Sequence, residues 1–180
     1  MSGIVYQVMY RPRVGVARQE GRFTDHDKAL AVCRQLTSGA KEGYYFIQEL
    51  YPIAEMKTEK FDSFVALVAQ VREHQRLFYA GRDRQVMMQS IELEGRLRQY
   101  IDKCKAIFAA HPEHKPQPAA KLFFDMVDIW LGKAKEYFAH KKANDEDPLV
   151  IRERLKECKD YERRIDQVVE QYTKYQPSDK

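Results

Sequence analysis

Residues 86–107 read VMMQSIELEGRLRQYIDKCKAI, and this stretch decides the fold class. Val86, Ser90, Leu93, Leu97, Tyr100, Cys104 and Ile107 recur at alternating steps of four and three. That is the repeat of one helix face laid against another helix. Met87, Glu94, Ile101 and Phe108 flank the seam. The period extends upstream to about Thr58, where Phe61, Phe64, Val65, Val68, Val71, Gln75 and Phe78 form one stripe. Gly81 can close that helix and Asp83 can cap the next. Downstream, Pro112, Pro116 and Pro118 break the pattern, so His111 to Pro118 reads as a loop. A third helix is expected from Pro118 to Lys141, with Phe123, Met126, Val127, Trp130, Ala134, Tyr137 and Phe138 facing inward. After a polar turn, Asp147 caps and Pro148 opens the last helix. Its stripe is Ile151, Leu155, Cys158, Glu162, Ile165, Val169 and Tyr172, again at steps of four and three. The chain beyond Tyr175 is expected to fray.

The first fifty residues have a different rhythm. Ile4 to Tyr10 is β-branched and aromatic, which favours a strand. Val14 to Arg22 reads as a second short strand or a loop, ended by Gly21. Thr24 is the expected N-cap of a helix that buries Leu30 or Ala29 with Cys33 and Leu36 and stops at Gly39. Tyr44 to Tyr51 is a further strand ended by Pro52. The fold class is therefore α+β and predominantly helical. A small strand-helix-strand unit over 1–56 packs with an antiparallel bundle of three to four long helices over 57–180. Phe78-Tyr79-Ala80 is like Tyr137-Phe138-Ala139, and Glu94, Arg96, Leu97 and Ile101 are like Glu162, Arg164, Ile165 and Val169. Two related hairpins, 58–110 and 118–176, would explain this, although amphipathic helices also match by pattern alone.

Composition narrows the function. The 180 residues are 44% hydrophobic and 12% aromatic, enough for a core and too much for wholesale disorder. The net charge of +4 is spread along the chain, at +1 over 1–56, +3 over 57–115 and zero over 116–180. Nucleic-acid binders commonly carry a basic domain or tail, and only the middle third leans that way. No run approaches the roughly 20 apolar residues of a membrane span, and the N-terminus lacks the pattern of a secretory leader. Cys33, Cys104 and Cys158 are odd in number and far apart, as expected of reduced thiols in a cytoplasmic protein.

The chemical motifs are sparse. His111-Pro-Glu-His114 brings two imidazoles near a carboxylate, but a metal would need further ligands, so solvated loop residues are expected and no metal or cofactor. The cysteines fall on apolar faces, which makes them inert core thiols. Phosphate-cradling glycine loops and nucleophile elbows do not occur in the sequence. Glu92 and Glu94 lie on different helix sides and make no acid/base pair. No enzyme is expected.

The strongest remaining signal is basic. Arg72 and Arg76 are one turn apart, Arg82 and Arg84 fall in the inter-helix turn, and Arg96 follows. With Tyr79 they outline a surface for nucleic acid or a protein partner. Glu73, Asp83, Glu92 and Glu94 interleave with them, and alternating charge usually marks a solvated face. From Phe64 to Leu97, the positions Arg72, Glu73, Gln75, Phe78, Tyr79, Arg82, Leu93, Glu94 and Leu97 make a pattern. It resembles a helical-hairpin segment of small uncharacterised bacterial proteins, several of them linked to prophages or mobile elements. The resemblance covers about forty residues and implies an architecture and no activity. Arg82 and Glu94 are expected to pair across the hairpin. The function expected is that of a non-enzymatic interaction or structural protein acting through helical faces, its partner a second copy or another protein. The alternative is a nucleic-acid-associated accessory protein of a phage or mobile element.

Overall fold

The computed structural model describes residues 3–13, 15–40, 42–143 and 147–175. The chain forms two compact units, Met1–Pro52 and Ile53–Lys180.

In the first unit, strands β1 (Val5–Arg11), β2 (Arg18–Phe23) and β3 (Tyr44–Leu50) make an antiparallel sheet of order β2-β1-β3. Helix α1 (His26–Gly39) connects β2 to β3. Val8, Ala29 and Cys33 form the core, with Tyr6, Phe23, Val32, Leu36, Tyr45 and Ile47 packed around them. Two local expectations change. The N-cap is Asp25, not Thr24: the Asp25 carboxylate accepts from the Lys28 amide at 3.1 Å, and a negative charge there suits the helix dipole. Gly21 lies inside β2 rather than at its end. It pairs with Val8 beside a register shift, and a Cβ there would come 2.8 Å from the Phe23 ring. Gly43 enters β3 at φ 84, where a side chain would collide with the Arg11 carbonyl.

The second unit opens with a single turn, α2 (Ile53–Met56), whose Ile53 and Met56 are buried. That turn packs on the helices that follow, so the boundary expected at 56/57 falls at 52/53. Four long helices follow: α3 (Glu59–Gly81), α4 (Arg84–Ala110), α5 (Pro118–Ala143) and α6 (Pro148–Lys174). At 1.5 Å per residue each is a rod of roughly 35–40 Å. Thr58, Asp83 and Asp147 cap α3, α4 and α6 with side-chain oxygens on backbone amides. A two-residue turn joins α3 to α4, and α5 packs on α6, so the bundle is built from two helical hairpins. The tail beyond Tyr175 and residues 144–146 of the polar turn lie outside the described residues.

The inward stripe is largely as its spacing predicts. Phe61, Phe64, Val65, Val68, Val71, Leu97, Ile101, Phe123, Met126, Val127, Trp130, Cys158, Ile165 and Tyr172 are buried. Ile107, Leu155 and Phe138 are exposed instead. A repeat averaging 3.5 drifts about 20° per heptad on a straight helix, so Ile107, at the end of its stripe, rotates outward. Phe138 loses to its neighbour Tyr137, which takes the inward position.

No helix among the described residues is long and apolar enough to cross a membrane.

Candidate functional site

The two ends of the bundle are packed differently. At one end Phe64 meets Tyr100, Phe123 and Phe124 with ring centroids 5.4–5.9 Å apart. Phe61 touches Phe123 and Tyr172, and Phe108 touches Phe124. At the other end the inward positions carry small or polar residues: Gln75 on α3, Ser90 and Glu94 on α4, Ala134 on α5, and Cys158 and Glu162 on α6. Such side chains cannot fill the space between rods set 8–10 Å apart by larger neighbours. A cleft of about 690 Å³ results, within the size range of small-molecule sites.

Aromatic rings line it: Phe78 and Tyr79 from the end of α3, and Trp130, Tyr137 and Phe138 from α5. Met87, Ile91 and Leu155 add aliphatic surface. Trp130 is buried, and its indole N–H finds no acceptor among the described residues.

Beneath the cleft lies a charged network. Arg72 is 5% exposed and donates through Nε to Asp166 at 2.9 Å and through an Nη to the same carboxylate at 3.1 Å. It also reaches Glu162 at 3.4 Å, bonds Gln75, and lies 5.5 Å over the Trp130 ring. Burial alone lowers the pKa of this guanidinium. The hydrogen bond to Asp166 and the charges of Glu162 and Asp166 outweigh it and raise the pKa overall. Gln75 passes the network on by donating to Glu94 at 2.7 Å, and Lys159 donates to Glu162 at 2.7 Å. Burial pushes the Cys158 thiol up, which keeps it protonated and unreactive at neutral pH.

The expected basic surface is thereby redistributed. Arg72 is a buried structural cation and cannot present itself to a partner. Arg76 pairs with Glu73 on its own helix at 2.9 Å. Tyr79 and Arg82 line the cleft. Arg84 and Arg96 are exposed on α4 outside its lining. Arg82 does not pair with Glu94. Its guanidinium lies 5.6 Å over Phe78 and 5.3 Å over Tyr79, and Glu94 instead accepts from Gln75. The reason is backbone geometry. Arg82 takes the left-handed C-cap conformation at φ 55 and its amide bonds the Phe78 carbonyl, while Gly81, the expected terminator, stays within the helix. Sequence reasoning missed Trp130, Tyr137, Phe138, Lys141 and Lys159 as members of one site. The signal was there in the small and polar residues interrupting the stripes at one end.

Elsewhere, His111, Glu113 and His114 converge more closely than a loop implies. Pro112–His114 forms one 3-10 turn, and their ligand atoms lie within 4.8 Å of one another. All three are exposed.

Fold and cleft together define a predominantly helical α+β protein with a four-helix bundle open at one end. No protein-family model, curated protein or solved structure matches this chain.

Proposed function

We propose that this is a non-enzymatic, cytoplasmic binding protein that acts through its helical faces and engages its ligand or partner at the open end of the bundle. The observation that carries this reading is the cleft itself, an aromatic-lined concavity rimmed by exposed Tyr79, Ile91, Phe138 and Leu155. Apolar surface left in a concavity is the usual mark of a binding site. The absence of catalysis is supported by how the reactive groups are occupied. Glu162 sits between Arg72 and Lys159, Glu94 holds Gln75, and the Cys158 thiol is raised by burial. The nucleic-acid reading has less support, because Arg72 is buried and Arg76 is paired.

Trp130 is the chain's single tryptophan, so its fluorescence reports on this cleft. Phenylnaphthylamine, an uncharged apolar fluorophore, is expected to bind with energy transfer from Trp130. Ala134→Phe, which fills part of the cleft, is expected to weaken that binding without unfolding the helices by circular dichroism. Failure of the wild-type protein to accept the probe, at any concentration short of its solubility, overturns the reading.

A further inference from the structure

The cleft's charges differ in how they are used. Its two carboxylates are engaged, Glu94 by Gln75 and Glu162 by Arg72 and Lys159. Two of its three lining cations are not. Arg82 and Lys141 lie over aromatic rings, at 5.3 Å from Tyr79 and 5.6 Å from Tyr137, and meet no carboxylate among the described residues. Both stand at helix C-termini, of α3 and α5, where the partial negative charge of the last carbonyls already favours a cation. Among the described residues, neither has a carboxylate counter-ion of its own.

A second observation points to the same residue. Arg82 is the only non-glycine residue with positive φ among the described residues. A helix that ends with a left-handed residue ordinarily places glycine there, since a Cβ is strained in that conformation. Glycine is available one position earlier and is not used. The strained position instead carries a guanidinium over the aromatic wall. Strain of this kind persists where the side chain has a task that glycine cannot perform.

We propose that the cleft binds a small amphipathic organic anion, an aromatic or aliphatic acid whose apolar body lies among Phe78, Tyr137 and Phe138 and whose acidic group is taken at the rim by Arg82 and Lys141. The inference rests on the binding reading above and adds the ligand's charge. The apolar interior supplies most of the affinity. The two cations supply orientation and selectivity for a negative head group, and their position at the rim makes the effect sensitive to salt.

Two probes with the same ring system separate the claims. Anilinonaphthalene sulfonate is the anionic counterpart of phenylnaphthylamine, and both accept energy from Trp130. The wild-type protein is expected to bind the sulfonate about tenfold more tightly than the uncharged probe, the worth of one charge-assisted contact. Raising salt is expected to shrink that preference. Arg82→Gln with Lys141→Gln should abolish it, bringing the affinities for the two probes together. Arg82→Gly should raise the melting temperature while weakening sulfonate binding, a split that a purely structural role for Arg82 would not produce. Equal affinity for the two probes overturns the anion proposal and leaves the binding reading standing. A preference that survives loss of both cations also overturns it. If the uncharged probe receives no energy from Trp130 at any concentration short of its solubility, the binding reading falls and the anion proposal falls with it.

Discussion

The closed and open ends of the bundle are built from the same four helices, and the contrast between them shows what separates a core from a site. At the closed end, seven rings from all four helices interlock: Phe61, Phe64, Tyr100, Phe108, Phe123, Phe124 and Tyr172. At the open end, five rings line the walls while Gln75, Ser90, Ala134 and Cys158 hold the inward positions. Aromatic content is similar, but its placement differs: at the open end Trp130 and Tyr137 are buried, while Phe78, Tyr79 and Phe138 keep part of their surface open. Rings that interlock exclude water and stabilise the fold. Rings held apart by small inward residues leave a concavity. Arg72 lies between the two regimes and ties α3 to α6 through Asp166 and Glu162.

The largest expected effect tests that contrast directly. Phe64→Ala at the closed end should cost about 3–5 kcal/mol, as large-to-small changes in a packed core do. Phe138→Ala at the open end, where the ring is 55% exposed, should cost less than about 0.5 kcal/mol. Urea midpoints of the two variants measure the difference, and similar losses would break the comparison.

Arg72→Met comes next. It leaves the Asp166 and Glu162 carboxylates, with side chains 30% and 15% exposed, without their shared cation. A loss of about 3 kcal/mol is expected, near the lower bound for breaking a buried pair. A double-mutant cycle with Asp166→Asn should recover part of it. Strict additivity would show that the two residues do not interact.

A smaller effect sets the pH response of the closed end. Burial raises the phenol pKa values of Tyr100 and Tyr172, and a hydrogen bond to Asp62 adds to the shift at Tyr172. Burial also raises the Cys104 thiol. In each case the folded state holds its proton more tightly than the unfolded chain. The stability so contributed is fully present below the ordinary thiol and phenol values and declines as pH rises past them toward the raised ones. Tyr172→Phe should cost about 1 kcal/mol at neutral pH, the worth of its hydrogen bond, and flatten the alkaline decline of the urea midpoint. An unchanged alkaline slope would remove Tyr172 from the account.

The smallest change sharpens the view that the open end is shaped by side chains rather than backbone. Gly132 lies within α5, and a Cβ there meets nothing within 4 Å. Gly132→Ala should stabilise the bundle by about 0.5–1 kcal/mol through helix propensity and leave probe binding at the cleft unaltered. Weaker binding would mean that flexibility at Gly132 serves the site.

Much of the fold is legible in the sequence. The steps of four and three through Val86 to Ile107 and Ile151 to Tyr172 mark helix faces, and Asp83, Asp147 and Pro148 punctuate them through local hydrogen bonding. The structure departs from that local pattern where neighbouring residues compete for one role. Asp25 displaced Thr24 as a cap, Arg82 displaced Gly81 as the left-handed residue, and Tyr137 displaced Phe138 in the interior. The candidate site was only partly legible. Tyr79 and Arg82 stood out in the sequence, but Arg72 resembled them there and is structural.

Periodic hydrophobicity and end-capping act over a few residues, so sequence alone determined that residues beyond 58 form long amphipathic rods and where they begin and end. Which arginine is buried, which carboxylates it holds and where the interior is left unfilled depend on residues about 90 positions apart, such as Arg72 and Glu162. Only tertiary packing decided those, because a side chain's charge partners and free volume are set by what the neighbouring helices bring against it.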